Sequence, residues 1–318
     1  MAEKRKGVAV VAVGGNSLIK DKSHRTIPDQ YIAGAESMAH IAGMIEAGWD
    51  VIITHGNGPQ VGFILRRAEL SLNELHPVPL DYCGADTQGA IGYMFQQALY
   101  NEFLSRGVNK RAATVVTQVL VDKDDPAFEN PSKPIGSFMD EAMAMQQAES
   151  EGWTVVEDAG RGWRRVVPSP LPLRIVQADA IKTLVESGFV VIGVGGGGIP
   201  VIEDDGGNLV GVEAVIDKDF ASALLATSLK VDLFVISTAV EKVALNYNKP
   251  NQTWLDRMTV SEARRYLDEG HFAKGSMEPK IQAILGYLER GGQRALITNP
   301  ENIERALKGQ TGTELVPD

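Results

Sequence analysis

Short runs rich in Val and Ile alternate along the chain with longer stretches in which apolar residues recur every three or four positions. The runs at 7–13, 51–54, 112–117, 189–194, 233–237 and 295–298 are continuous rather than alternating. That pattern predicts strands of a parallel sheet covered on both faces. The stretches 30–47, 59–70, 85–104, 175–186, 219–228 and 279–289 read as helices. Gly48 and Gly107 sit where the first and third of these should stop. The expected fold class is α/β, a three-layer α/β/α sandwich around a mainly parallel central sheet.

One segment departs from this rhythm. Between 118 and 172 the chain is rich in Pro, Asp, Lys, Trp and Gly, and the stretch from Gly160 to Arg165 reads as a hairpin. A loop this long inside an α/β domain is usually functional or separately structured, so 118–172 is expected to form a protruding subdomain or lid. No linker divides the chain, and 1–318 reads as one domain with a weak split into two lobes near Pro172.

Composition narrows the function classes. The 318 residues are 44% hydrophobic and 23% charged, with a net charge of −10. Such acidity argues against nucleic acid and anionic membranes as partners, which need basic surface. Any polyanion site must therefore concentrate its own positive charge. Cys83 is the single cysteine, so no disulfide framework is expected. The five histidines show no metal-ligand spacing. No apolar run reaches the ~18 residues of a membrane span, and 8–13 reads as a first buried strand rather than a signal segment. The expected location is the cytoplasm.

Several constellations suit phosphate. Asp217-Lys-Asp219 stands where an apolar run gives way to a small-residue helix, and flanking carboxylates can hold the Lys218 ammonium group. Gly14-Gly-Asn16 follows the first strand, and His55-Gly-Asn-Gly-Pro-Gln60 follows the second and opens a helix. Backbone N–H groups at such strand ends and helix starts favour an anion. Gly193-Val-Gly-Gly-Gly-Gly198 matches a dinucleotide fingerprint formally, but a short strand and turn follow instead of a helix, which excludes that reading. The four glycines still suggest close approach to a ligand. Gly270 to Gly275 has Walker-like spacing without the Lys-Ser/Thr pair. Lys280 follows Pro279 at a helix start, a place where a lysine opposes the helix dipole and is tolerated if it faces phosphate. Lys133 lies between Pro131 and Pro134 on what reads as a rigid loop, and 240–252, with Tyr247, reads as a possible cover for a base.

In this order the segments resemble the carbamate kinases of the amino-acid kinase superfamily. The resemblance is carried by Val13-Gly-Gly-Asn16, His55-Gly-Asn-Gly-Pro-Gln-Val-Gly62, Gln88-Gly-Ala-Ile-Gly-Tyr93 and Asn130-Pro-Ser-Lys-Pro-Ile-Gly136. It continues through Glu157-Asp-Ala-Gly-Arg-Gly-Trp-Arg164, Gly195-Gly-Gly-Gly-Ile-Pro-Val201, Glu213-Ala-Val-Ile-Asp-Lys-Asp219 and Gly275-Ser-Met-Glu-Pro-Lys280. It implies reversible phosphoryl transfer from ATP to carbamate, an eight-stranded sheet, a protruding subdomain and a homodimer. ATP and ADP would be substrates, with Mg²⁺ bound through the nucleotide phosphates.

The same resemblance assigns roles. Lys218 and Lys280 become phosphate-binding lysines, Lys133 the lid lysine and Asp219 the carboxylate that positions lysines. Gly14, Gly15, Asn16, Gly56, Asn57 and Gly58 fall to the acceptor and transferring phosphate, in a lobe of about 1–172. Gly196, Gly197, Ala239, Val240, Tyr247 and Met277 fall, with the two phosphate lysines, to the nucleotide in a lobe of about 173–318. Where many members have Thr-Asp-Val, this chain has Thr238-Ala-Val240, so a carboxylate is missing. Carbamate is already an anion, so no general base is required and catalysis rests on alignment and charge neutralisation. Another phosphotransferase of the superfamily and a non-catalytic nucleotide or carbamoyl-phosphate sensor stand as alternatives. Cys83 reads as a small buried residue rather than a reactive one.

Overall fold

The computed structural model describes residues 5–15, 18, 19, 21, 23–157 and 162–318. The first half of the chain lays down β1 (Gly7–Val13), α1 (Ile27–Glu46), β2 (Trp49–His55), α2 (Gly58–Leu70), α3 (Leu80–Arg106), β3 (Ala112–Thr114) and β4 (Gln118–Val121). An outlying unit follows, with β5 (Lys133–Met139), α4 (Glu141–Glu151), β6 (Thr154–Glu157) and β7 (Trp163–Val167). The chain continues through β8 (Pro172–Ile175), α5 (Ala178–Glu186), β9 (Val190–Ile192), β10 (Ile199–Glu203), β11 (Leu209–Gly211), α6 (Lys218–Ser228) and β12 (Leu233–Ser237). It closes with β13 (Val243–Leu245), β14 (Thr253–Leu255), β15 (Arg257–Thr259), α7 (Val260–Asp268), α8 (Met277–Glu289), β16 (Ala295–Thr298), α9 (Ile303–Leu307) and β17 (Thr313–Val316).

Eight strands form the central sheet in the order β15-β17-β16-β12-β1-β2-β9-β3. Every pairing in it is parallel except β16 with β17. The continuous apolar strands bury both faces. Along β1, Val10 and Ala12 join a core with α6 and α8, while Ala9, Val11 and Val13 join a core with α1 and α3. The result is the expected three-layer sandwich. β1 lies between β2 and β12, so the loops at their carboxyl ends flank the crevice where open α/β sheets bind ligands. β9, from the second half of the chain, sits between β2 and β3 of the first half.

Tertiary pairing moves several expected boundaries. The stretch 118–172 does not make a single sheet of its own, because β4 and β8 pair with one another and β4 pairs with β10 in a second sheet, β11-β10-β4-β8. Only β5, β6 and β7, in the order β5-β7-β6, make the outlying sheet, which α4 accompanies. The expected hairpin is formed by β6 and β7, although the residues at its tip, 158–161, lie outside those described. Lys133 begins a strand paired with Val167 rather than lying on a loop. The helix expected over 85–104 starts at Leu80, where Pro79 sets an extended entry, so Cys83 lies inside α3. The run expected as a helix over 175–186 is divided, with Ile175 ending β8 and α5 starting at Ala178. The expected strand over 112–117 likewise ends at Thr114, and the fingerprint glycines lead into β10 rather than a helix. No helix among the described residues is long and apolar enough to cross a membrane.

Candidate active site

The amino terminus of α6 gathers the charged groups. Asp217, in extended backbone, is its N-cap and accepts the Asp219 N–H at 2.8 Å through Oδ1. Lys218 reaches Asp219 Oδ1 at 2.5 Å, and Lys280, from the first turn of α8, reaches Asp219 Oδ2 at 2.9 Å. Lys133, from the start of β5, reaches Asp217 Oδ2 at 2.8 Å. Five charged side chains singled out in the sequence therefore meet. The flanking carboxylates divide their work: Asp219 bridges Lys218 and Lys280, while Asp217 holds Lys133 instead of Lys218.

Asp219 is only 3% exposed. Burial alone raises a carboxyl pKa, but the attraction of the Lys218 and Lys280 ammonium groups outweighs it and holds Asp219 well below the usual range. With two aspartates against three lysines, the cluster keeps a positive surplus for an incoming anion on a chain that is acidic overall.

The glycine loops meet this cluster. The Lys218 stem crosses the end of β2 so closely that a Cβ on Gly56 would lie 3.3 Å from Lys218 Cδ and 3.6 Å from the Gly15 nitrogen. Gly15, Gly56 and Lys218 thus converge. The N–H groups of Gly14 and Gly56 are not free for a ligand, since they donate to Ser237 O at 3.0 Å and Val13 O at 3.1 Å and close the ends of adjacent strands. At the start of α2, the N–H groups of Gly58 and Gln60 precede the first helical acceptors, and Gly58 opens onto unfilled space. Asn16 lies outside the described residues.

Asn57 is buried, and its amide donates to Thr87 Oγ1 at 2.8 Å instead of projecting from the loop. Gln88 donates to Gly195 O at 2.9 Å and Thr117 O at 3.1 Å, and accepts the Thr117 N–H at 2.7 Å. The 195–198 turn is packed against this layer. A Cβ on Gly195 would lie 2.4 Å from His55 Nε2, on Gly196 2.2 Å from Asn57 Nδ2, and on Gly197 2.3 Å from Ile216 O. Gly196 and Gly197 also have positive φ. Protein packing by itself requires glycine at these positions. His55 faces Gly56 O through Nδ1 at 3.1 Å, and its buried Nε2 has no hydrogen-bond partner among the described residues. Burial lowers its pKa to about 4, with Lys218 adding to the effect, so the ring is neutral at neutral pH.

Among the residues expected to meet a nucleotide, Ala239 and Val240 lead away from β12, with Ala239 exposed. Tyr247, half exposed, packs edge-on to Trp254 across the β13–β14 hairpin at 6.3 Å. Met277 is the first residue of α8, three positions before Lys280. Asp219 supplies the bridging carboxylate to both lysines in a chain that has Ala239. Cys83 is fully buried, and burial pushes its thiol up to about 11, so it is not a thiolate at neutral pH. No group of three or more His, Cys, Asp or Glu side chains that could hold a metal stands together among the described residues. Sequence reasoning passed over Thr87 as a support of Asn57 and the pairing of Asp217 with Lys133. The first had no local signal, and the second was visible only as an acidic neighbour of Lys218.

A three-layer sheet with lysines and glycine loops converging at strand carboxyl ends defines an α/β phosphate-binding protein. The amino acid kinase family model matches residues 7–299, and the chain belongs to that family. It is 51% identical over 314 residues to the carbamate kinase-like protein YahI of Escherichia coli K12, covering 98% of this chain and 99% of that protein. It is also 51% identical over 310 residues to the carbamate kinase of Thermococcus kodakarensis, covering 96% and 98%. Among solved structures, carbamate kinase from Giardia lamblia bound to AMP-PNP matches with a TM-score of 0.92 at 40% identity, covering 98% of this chain and 99% of that one.

Proposed function

We propose that this chain is a carbamate kinase, catalysing reversible phosphoryl transfer between ATP and carbamate to give ADP and carbamoyl phosphate. The observation that carries the reading is the convergence of Lys133, Lys218 and Lys280 on Asp217 and Asp219, beside Gly15 and Gly56. Near-full-length identity to carbamate kinases supports the choice of acceptor. Carbamate arrives as an anion and needs no base, in keeping with a site whose buried imidazole is turned to the protein. Lys218 and Lys280 neutralise oxygens of the transferring phosphoryl group and the nucleotide, held at a fixed spacing by Asp219. Lys133 completes the charge from the outlying sheet. The N–H groups of Gly15 and Gly58 orient the acceptor, because preorganised donors act most strongly where charge develops. Mg²⁺ belongs to the substrate, carried on the nucleotide phosphates, and the Giardia neighbour's AMP-PNP supports a nucleotide as the other substrate.

The assay is ATP formation from ADP, Mg²⁺ and carbamoyl phosphate, with acetyl phosphate as control. ATP with N-acetylglutamate or UMP should give no transfer above background. Phosphorylation of either, with carbamoyl phosphate inert, overturns the reading. Nucleotide binding without turnover on any of them favours a sensor.

The functional unit is proposed to be a homodimer. α1, α2 and α3 border an apolar groove of about 640 Å³, and Ile27, Ile32, Tyr93, Tyr100 and Leu104 stand 57–73% exposed on α1 and α3. An apolar surface this extended marks an association face. Sedimentation equilibrium tests it, and a monomer at micromolar concentration contradicts it.

A further inference from the structure

One carboxylate serves two elements at once. Asp217 Oδ1 caps α6 by accepting the Asp219 N–H at 2.8 Å, while Oδ2 accepts from Lys133 at 2.8 Å. Lys133 lies 84 residues away at the start of β5, so the group that fixes the first turn of the lysine-bearing helix also fixes the lid lysine. The contact is sheltered, with the Asp217 side chain 21% exposed and Lys133 35% exposed. Around it the outlying sheet is docked. Val215 N–H donates to Pro168 O at 3.0 Å, Arg165 pairs with Glu213 at 3.0 Å, and Val215 packs on the cluster holding Ile135 and Val167. Glu213 is 58% exposed, so its ion pair contributes little. The Asp217–Lys133 pair ties the outlying sheet to the residue directly before Lys218.

We propose that Asp217 is a positioning residue for the transfer reaction. It holds Lys133, and with it the edge of the lid sheet, in register with α6 before substrate binds. It then releases that ammonium group, which donates instead to an oxygen of the transferring phosphoryl group. This rests on the carbamate kinase reading for the reaction, but not for the pairing. The chemistry is specific to a carboxylate. Both of its oxygens are in use, whereas an amide or a hydroxyl offers a single oxygen. Asp217→Asn and Asp217→Ser therefore keep a good helix cap while giving up the Lys133 contact.

The experiment uses the full chain with Asp217→Asn, Asp217→Ser, Lys133→Ala and the Asp217→Asn/Lys133→Ala double variant. Hydrogen exchange is followed in β5, β7 and the first turn of α6 without ligand. The expected result is exchange about threefold faster in β5 and β7 for each single variant. The first turn of α6 stays protected in the Asn and Ser variants, and the double variant shows no further increase in β5 and β7. In the coupled assay, kcat/KM for carbamoyl phosphate falls about tenfold in Asp217→Asn, and that fall shrinks to less than about twofold in the Lys133→Ala background. Unchanged exchange in β5 and β7, or an undiminished effect of Asp217→Asn without Lys133, reduces Asp217 to a helix cap and overturns the proposal. Absence of ATP formation by the unmodified protein overturns the carbamate kinase reading, while the exchange comparison still decides the pairing.

Discussion

The lysine side and the glycine side of the site both suggest ligand contacts in the sequence, and they are built on opposite principles. On the lysine side, Lys133, Lys218 and Lys280 come from β5, α6 and α8 and are held by carboxylates, with their charge directed to one place. On the glycine side, the N–H groups of Gly14 and Gly56 close strand ends, the Asn57 amide is bound to Thr87, and Gly195, Gly196 and Gly197 accommodate His55, Asn57 and Ile216. A lysine near a buried site needs a counter-charge, so its presence points outward to a partner or ligand. A glycine records only that something comes close, and here that something is more often the protein itself.

The sharpest test of the contrast is Lys218→Ala. It should fold normally and lose about 100-fold or more in kcat, the scale of one preorganised transition-state contact. Near-normal turnover in a folded variant would remove Lys218 from the mechanism.

The matching variant on the other side is Gly197→Ala. Its Cβ would meet Ile216 O at 2.3 Å on a backbone with φ of +94°. Overpacking and backbone strain together should lower stability by about 3–4 kcal/mol. Urea denaturation measures this, and a wild-type midpoint would show that the turn yields easily.

His55 provides a pH-dependent version. Its folded pKa, about 4, lies below the ordinary 6.5, so the unfolded chain takes up a proton at higher pH than the folded one. Stability is full above 6.5 and falls as the pH drops from 6.5 towards 4. The loss is at most about 3 kcal/mol by linkage. Denaturation across that range should show a limb that His55→Gln flattens, and an equally steep limb in the variant would assign it to another group.

Gly58, like Gly15, is an exception on the glycine side, because a Cβ there meets no atom within 4 Å. Gly58→Ala should leave stability within about 0.5 kcal/mol while raising the KM for carbamoyl phosphate about tenfold. Unchanged kinetics would place the acceptor away from the start of α2. The smallest effect is expected at Cys83, packed with Val61, Leu65, Ile135 and Val167. Cys83→Ala should cost about 1 kcal/mol and keep most of the activity. A folded variant with turnover lowered by orders of magnitude would reveal a chemical role.

The sequence by itself determined the layers of the fold, because periodicity is local: short continuous runs rich in Val and Ile, set between longer helical stretches, favour strands of a sheet covered on both faces. It also singled out Lys218 and Lys280, which stand at helix starts where charge is conspicuous. The tertiary structure decided which carboxylate holds which lysine. Lys133 meets Asp217 across 84 residues, and Lys280 meets Asp219 across 61. It decided how 118–172 divides between sheets as well, because β4 is claimed by β8 and β10, partners far along the chain that no local pattern announces. It alone distinguished a glycine that admits a neighbouring side chain from one that faces open space. A missing Cβ has the same appearance in sequence whichever atom approaches it.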